Sequence, residues 1–414
     1  MTQAKQILMD RIPENWEVIK LGDIIEYIKG KKPKTLEDKP RNGFLPYLST
    51  EYLRNNEKPK FAIPSDDIVL VEEGELILLW DGSNAGEFFI GKKGVLSSTM
   101  VKLWPKREVD QKFLFYILKT KEKFLSAQTR GTGIPHVDKT ILKNLKIFLP
   151  PLPEQKAIAQ ILSTVDKAIQ KVDEIIAKTE RLKKGLMQKL LAKGIGHKEF
   201  KDTEIGRIPK EWRVVRVEEV AEVKGRIGWR GYKKTDFVEP GIGAISLGAD
   251  NITEDNKLNL EELTWISLKK YEESPEIHVK FGDIIMAQRG SLGKVAIIDK
   301  DVGKATINPN VVLIKNIEVN NFYLYYVLAS PFIKKCILAI TSETTVPLLT
   351  QQQIRSLKIP VPPILEQQKI AGILSTVDKK LELERKRKEK LERIKKGLMD
   401  LLLTGKIRIK NPRD

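Results

Sequence analysis

The segment "PPLPEQKAIAQILSTVDKAI" begins at Pro150 and returns as "PPILEQQKIAGILSTVDKKL" at Pro362. The copies stay in register without a gap, so that "ERLKKGLMQKLL" at Glu180 answers "ERIKKGLMDLLL" at Glu392. Solenoid units run to roughly 20–50 residues, far shorter than this separation. The chain therefore carries a duplicated module. Weaker matches extend the duplication upstream. "IPENWEVIKLGDIIE" at Ile12 pairs with "IPKEWRVVRVEEVAE" at Ile208, and "GELILLWDGS" at Gly74 with "GDIIMAQRGS" at Gly282. Each half is a variable globular region followed by a near-identical tail. A length of 414 residues also exceeds the usual single core, which agrees with two domains.

The tails are helical by pattern. Ile158, Ile161, Leu162, Val165, Ala168, Ile169, Val172, Ile175, Ile176, Leu182 and Leu186 form a heptad stripe. The second tail repeats it with Ile370, Ile373, Leu374, Val377, Leu381, Leu391, Ile394, Leu398 and Leu402. A charged run, "ELERKRKEK" over 382–390, interrupts the second stripe, and the sequence offers no account of it. Pro153 precedes the first helix, and Gly194 and Gly196 stand where it should stop. Helices of about 38 residues, ~57 Å, are too long to hide on one small domain. The pattern predicts that they pack on each other.

The globular regions alternate short β-rich runs with Gly, Pro and Asn turns. Strands are expected in "GELILLW" at Gly74, "VKLWP" at Val101, "GDIIM" at Gly282, "KVAIID" at Lys294 and "NVVLIK" at Asn310. Helices are expected in "DQKFLFYILKTKEKFLSA" at Asp110 and "NNFYLYYVLASPFIKKCILA" at Asn320. The fold class is α/β in the α+β sense, with an internal repeat.

The formal net charge is +18, which favours a polyanionic partner, nucleic acid before an anionic membrane. Cys336 is the single cysteine, so no intramolecular disulfide forms and a reducing compartment is expected. No run approaches the ~18 apolar residues of a membrane span, and the N-terminal stretch has no leader-like apolar core. The expectation is a cytoplasmic protein.

Catalytic signatures are missing. His136, His197 and His278 lie far apart with one cysteine, which gives no zinc-ligand spacing, and no phosphate-binding GxxxxGK[ST] loop occurs. The loops are more informative. "KGKKPKTLEDKPRNG" at Lys29 supplies Lys31, Lys32 and Lys34. "KGRIGWRGYKKTDF" supplies Lys224, Arg226, Trp229, Arg230, Tyr232, Lys233 and Lys234. Such mixtures suit phosphates and exposed bases. Two turns in equivalent post-strand positions add Trp80, Asp81, Ser83 and Asn84 in one half, and Gln288, Arg289 and Ser291 in the other. Gln and Arg can make bidentate contacts to adenine and guanine edges, and Asp can accept from a cytosine amine.

This organisation resembles the specificity subunit of type I restriction-modification systems. The two "PPxxEQ…ILSTVD" helix starts, one after each variable region, carry the likeness. The resemblance implies two target-recognition domains reading the halves of an asymmetric, interrupted DNA site. It implies an antiparallel coiled coil with pseudo-two-fold symmetry, which sets the spacing between half-sites. The expected divisions are a tail at 1–11, recognition domains at 12–150 and 195–360, helices at 151–194 and 361–405, and a tail at 406–414. Spacer contacts are expected from Ile158, Leu162, Val165, Ile169, Val172 and Ile176 against Ile370, Leu374, Val377, Leu381, Leu391 and Leu398. The likeness further implies no catalysis and no cofactor in this chain. S-adenosylmethionine, ATP and Mg2+ would act on its partners, two modification (methyltransferase) subunits and the restriction subunits. A stand-alone coiled-coil DNA-binding regulator or a single-chain endonuclease or methyltransferase explains the in-register duplication less well.

Overall fold

The computed structural model describes residues 13–55, 57–129, 134–226, 231–341 and 348–409. The chain divides into two compact units. The first holds the residues up to Asp173 together with those from Lys386 onward, and the second spans Glu174–Arg385. Each unit thus joins one globular region to stretches of both long helices, instead of leaving the helices as separate connectors.

In the first unit an antiparallel sheet runs in the spatial order Ile25–Lys29, Met100–Pro105, Leu76–Leu79, Phe88–Ile90. Leu76–Leu79 is buried at every position. Its alternating side chains explain this. Leu76 and Leu78 face Phe113, Leu114 and Ile117 from the helix Gln111–Lys119, together with Ile158, Leu162 and Leu402 of the long helices. Ile77 and Leu79 face Leu48, Leu96 and Met100 in a second core. That core belongs to a sheet of Phe61–Ala62, Leu45–Leu48, Gly94–Leu96 and Leu70–Val71, whose central pair is parallel. Glu17–Lys20 pairs with Lys146–Leu149 and so brings the entry of the globular region beside its exit into the long helix.

The second unit repeats the plan. Its antiparallel sheet has the order Glu222–Gly225, Val311–Lys315, Ile284–Ala287, Val295–Ile297. A second sheet, Thr264–Ile266, Ala244–Leu247 and Ala305–Ile307, again contains one parallel pair. Arg213–Arg216 pairs with Lys358–Val361 as Glu17–Lys20 does with Lys146–Leu149. A hairpin, Phe200–Thr203 with Gly206–Pro209, precedes it.

Each expected globular helix is broken in two. Gln111–Lys119 is followed by Glu122–Ala127, and Asn321–Leu328 by Pro331–Thr341. Pro331 has no N–H to donate and suits the first turn of a new helix. Asp110 and Asn320 cap the leading helices by accepting from the amides of Phe113 and Tyr323 at 2.8 and 2.9 Å.

The long helices are Leu152–Lys193 and Ile364–Leu402. Gly194, with φ +63°, ends the first in the left-handed conformation that spares glycine the Cβ penalty. In the first unit Asp166 pairs with Lys395 at 2.5 Å and Asp173 with Lys388 at 2.7 Å. In the second, Lys183 pairs with Asp378 at 2.6 Å and Glu180 with Arg385 at 2.9 Å. Moving up one helix moves down the other, so the pairing is antiparallel in both units. Ile158, Leu162, Val172, Ile370, Leu374 and Leu381 are buried. Val165, Ile169, Ile176, Val377, Leu391 and Leu398 are half-buried. The stripe is narrower than the sequence pattern: Ile161 and Ile373 are 36% and 39% exposed, and Leu182 and Ile394 are 55% and 42% exposed. The charged interruption also finds its place, because Lys388 and Arg385 lie within it and are the cross-helix ion-pair partners.

Candidate nucleic-acid interface

The end of the main sheet in each unit gathers the loops that the sequence marked. In the first unit Trp80 and Asp81 donate their amides to the Thr99 carbonyl at 2.8 and 3.0 Å, and the Trp80 carbonyl accepts from Val137 at 3.0 Å. In the second, Gln288 donates to the Asn310 carbonyl at 2.9 Å, and its own carbonyl accepts from Leu349 at 3.0 Å. The turns therefore occupy matching places. The residue that follows is Asp81 in one and Arg289 in the other, each in an antiparallel bridge with the neighbouring loop, at His136 and Leu348.

The side chains differ in what they offer. Asp81 is partly exposed and pairs with Lys29 at 2.7 Å. Arg289, Ser83 and Asn84 are exposed, as are Lys31, Lys32 and Lys34 on the loop after Ile25–Lys29 and Lys233 and Lys234 in the second unit. Ser291 is half-buried. Lys224 pairs with Glu222 at 3.2 Å, and the Gln288 amide donates to the Pro309 carbonyl at 2.8 Å. Trp229 and Arg230 lie outside the described residues.

Two expected contacts are corrected. Trp80 is only 6% exposed and stacks on Tyr27, with ring centroids 5.4 Å apart, so its faces are already covered. Arg226 is 6% exposed, donates to the Ile307 carbonyl at 3.1 Å and the Thr306 hydroxyl at 3.2 Å, and lies over the Tyr232 ring at 4.6 Å. The Tyr232 hydroxyl in turn meets Ser246 at 2.5 Å, and burial raises its pKa. Arg226 and Tyr232 thus tether their basic loop to the strand Ala305–Ile307. A guanidinium in a Gly- and Lys-rich segment has the same sequence signature whether it faces DNA or a carbonyl.

The sequence reading missed the joints between globular regions and helices. Glu154, in the first turn of its helix, accepts from the Trp16 indole at 3.0 Å, from Arg408 at 2.8 and 2.9 Å, and from the Ile409 amide at 3.2 Å. Burial alone would raise its pKa, but the hydrogen bonds, led by Arg408, hold it below the usual carboxylate value. Glu366 repeats the joint with the Trp212 indole at 3.0 Å, the Ile195 amide at 2.8 Å and His197 Nε2 at 2.9 Å. Gln155 and Gln367 bond to the amides of Asp110 and Asn320 and to the carbonyls of Pro150 and Pro362. The repeated Glu-Gln is therefore a structural clasp. Its recurrence beside a repeated Trp was the available signal.

Among the described residues no group of three or more His, Cys, Asp or Glu side chains is placed to hold a metal ion, and no single helix is long and apolar enough to cross a membrane. Matched clefts of about 610 and 480 Å³ occur in the two units. Ile117, Phe148, Met399 and Leu403 line the first, and Val327, Pro360, Met187 and Leu191 line the second.

The type I restriction modification DNA specificity domain matches this sequence twice, over residues 13–181 and 209–393. The chain belongs to that family. The specificity subunit of the type I restriction enzyme MjaVIII from Methanocaldococcus jannaschii is 43% identical over 97% of this chain and 95% of its own length. The EcoBI specificity subunit from Escherichia coli is 21% identical over 87% of this chain and 78% of its own. The fold agrees with the crystal structure of the type I S subunit from M. genitalium, with a TM-score of 0.63 at 19% identity over 94% of this chain and 96% of that one. Family membership makes this a specificity chain, with two recognition domains in tandem and a long helix after each.

Proposed function

We propose that each unit reads one half of an asymmetric, interrupted site in double-stranded DNA, while the paired helices set the spacer. One observation carries this reading: the same turn, fixed by the same backbone hydrogen bonds, presents Asp81 in one unit and Arg289 in the other. Arg289 suits the O6 and N7 of guanine, and Asp81 suits an exocyclic amine. Two equivalent frames with unlike side chains are what two different half-sites require. The exposed lysines at 31, 32, 34, 233 and 234 neutralise phosphates and fix the register on the duplex.

The chain performs no chemistry in this scheme. Two modification subunits carry S-adenosylmethionine, and restriction subunits carry ATP and Mg2+, all in the cytoplasm. Support for paired, identical partners comes from features that occur once per unit: the exposed Ile161 and Ile373, the exposed Leu182 and Ile394, and the two matched clefts. Modified-base sequencing of the host, with and without the gene, tests the proposal. Loss of methylation at one bipartite motif is expected. Methyl transfer by the purified chain alone, given S-adenosylmethionine, would overturn it.

A further inference from the structure

The two long helices agree at both ends and diverge in the middle. Residues 170–179, QKVDEIIAKT, align with 382–391, ELERKRKEKL, and share only the lysine at 178 and 390. The division between the compact units falls inside this segment in both helices. On either side the copies match, and each flank makes the same contacts. Asp166 takes Lys395 and the Tyr116 hydroxyl, and Asp378 takes Lys183 and the Tyr326 hydroxyl.

Those flanking partners are repeat counterparts of one another, so they cannot tell one helix from the other. Two first helices from separate chains, in the same register, would still match Asp166 with Lys183. Two second helices would match Asp378 with Lys395. Only the divergent middle can discriminate. Its Asp173 meets Lys388, and its Arg385 meets Glu180, which lies just outside the segment and is matched by Glu392; Arg385 also takes Asp255 from its own unit. Substituting counterparts shows the consequence. Two first helices would set Glu180 against Asp173 and Asp173 against Ile176. Two second helices would set Lys388 against Arg385, although Glu392, the counterpart of Glu180, would still face Arg385. Only when unlike helices pair are both of these contacts attractive.

We propose that Asp173, Glu180, Arg385 and Lys388 force unlike helices together and thereby determine that every complex combines two unlike recognition units. This rests on the two-half-site reading, because like-with-like pairing would assemble identical units and read a palindrome instead. Each ion pair is partly exposed and individually weak. The discrimination comes from attraction in one pairing set against repulsion in the other. A tether between the helices favours pairing within one chain only once both exist. During synthesis the first unit and its helix emerge before the second, and neighbouring nascent chains are then protected by charge alone.

Two variants of the full-length chain test this from opposite sides. Lys388→Asp sets a carboxylate against Asp173 in the native pairing and against Arg385 in a pairing of second helices. Glu180→Lys removes the repulsion between first helices at an exposed position, and it keeps the test open should the other variant not fold. Mass is read by light scattering on protein purified without refolding, and motifs by modified-base sequencing with the modification subunits present. The parent is expected as one chain per particle with one asymmetric motif. Each variant is expected to raise two-chain species about tenfold. Lys388→Asp adds a palindrome of the second unit's half-site, and Glu180→Lys adds a palindrome of the first unit's. Single-chain mass and the parent motif in both variants would overturn the inference. A parent with no bipartite motif would instead refute the half-site reading, while the mass measurement still judges the helix pairing.

Discussion

If the helices act as a ruler along the duplex, lengthening them changes the spacer in a calculable way. An insertion in one helix alone makes the Asp173–Lys388 and Glu180–Arg385 pairs irreconcilable, because they lie on opposite sides of it. Matched insertions after Ala177 and after Lys386 preserve both pairs. Four residues in each, chosen to continue the apolar stripe, add one helical turn, a net rotation of about +40° and a rise of ~6 Å. One base pair adds about 34–36° and ~3.4 Å. The rotations nearly agree, and the joints at Glu154 and Glu366 would absorb the remaining ~2.6 Å. The expected site has the same half-sites and one more base pair between them. Seven residues in each helix add ~10.5 Å, about three base pairs of rise, but rotate by only about −20° where DNA needs about +100°. That variant should bind poorly at every spacer. The assay is methylation by the assembled complex on a library with fixed half-sites and every spacer from none to a full turn. An unchanged spacer in the four-residue variant would show that the helices do not set the distance.

Other consequences are simpler to measure. Replacing Lys233 and Lys234 by Ala should weaken all sequences alike and reduce the salt slope of the assembled complex by up to about 0.9 per lost phosphate contact. Trp80→Ala should cost about 3–5 kcal/mol as a buried aromatic, and thermal unfolding should report it before any change in motif. The folded Glu154 carboxyl is held low, so its contribution is complete above the unfolded value of about 4.3 and is lost as pH falls through the folded one. Glu154→Gln should therefore lower the melting temperature at neutral pH, by roughly 1.5–3 kcal/mol of stability, and flatten the acid limb measured from pH 6 to 3.

The repeat made the architecture legible. In-register copies of a heptad stripe announced both long helices, and β-rich runs between turn residues located the central strands. The finer geometry was hidden where one sequence pattern serves two environments. Ile161 and Leu182 continue the apolar stripe on paper, yet they and their counterparts Ile373 and Ile394 face outward. An extra apolar position widens a helical face without saying what covers it. Trp80 and Arg226 sit beside exposed turns, but their rings and donors are taken up by Tyr27 and by the strand Ala305–Ile307. The charged run at 382–390 was opaque because its meaning depends on Asp173, Glu180 and Asp255, all distant in sequence.

In the proposed scheme each unit reads its own half of the site. Arg289→Ala in the full complex tests it most directly, with the methylated motif mapped across all sequence variants. Preference is expected to relax at one base pair, by roughly 1–3 kcal/mol, within the half read by the second unit, while the other half and the spacer stay unchanged. Equal weakening of every sequence, or altered preference in both halves, would contradict it.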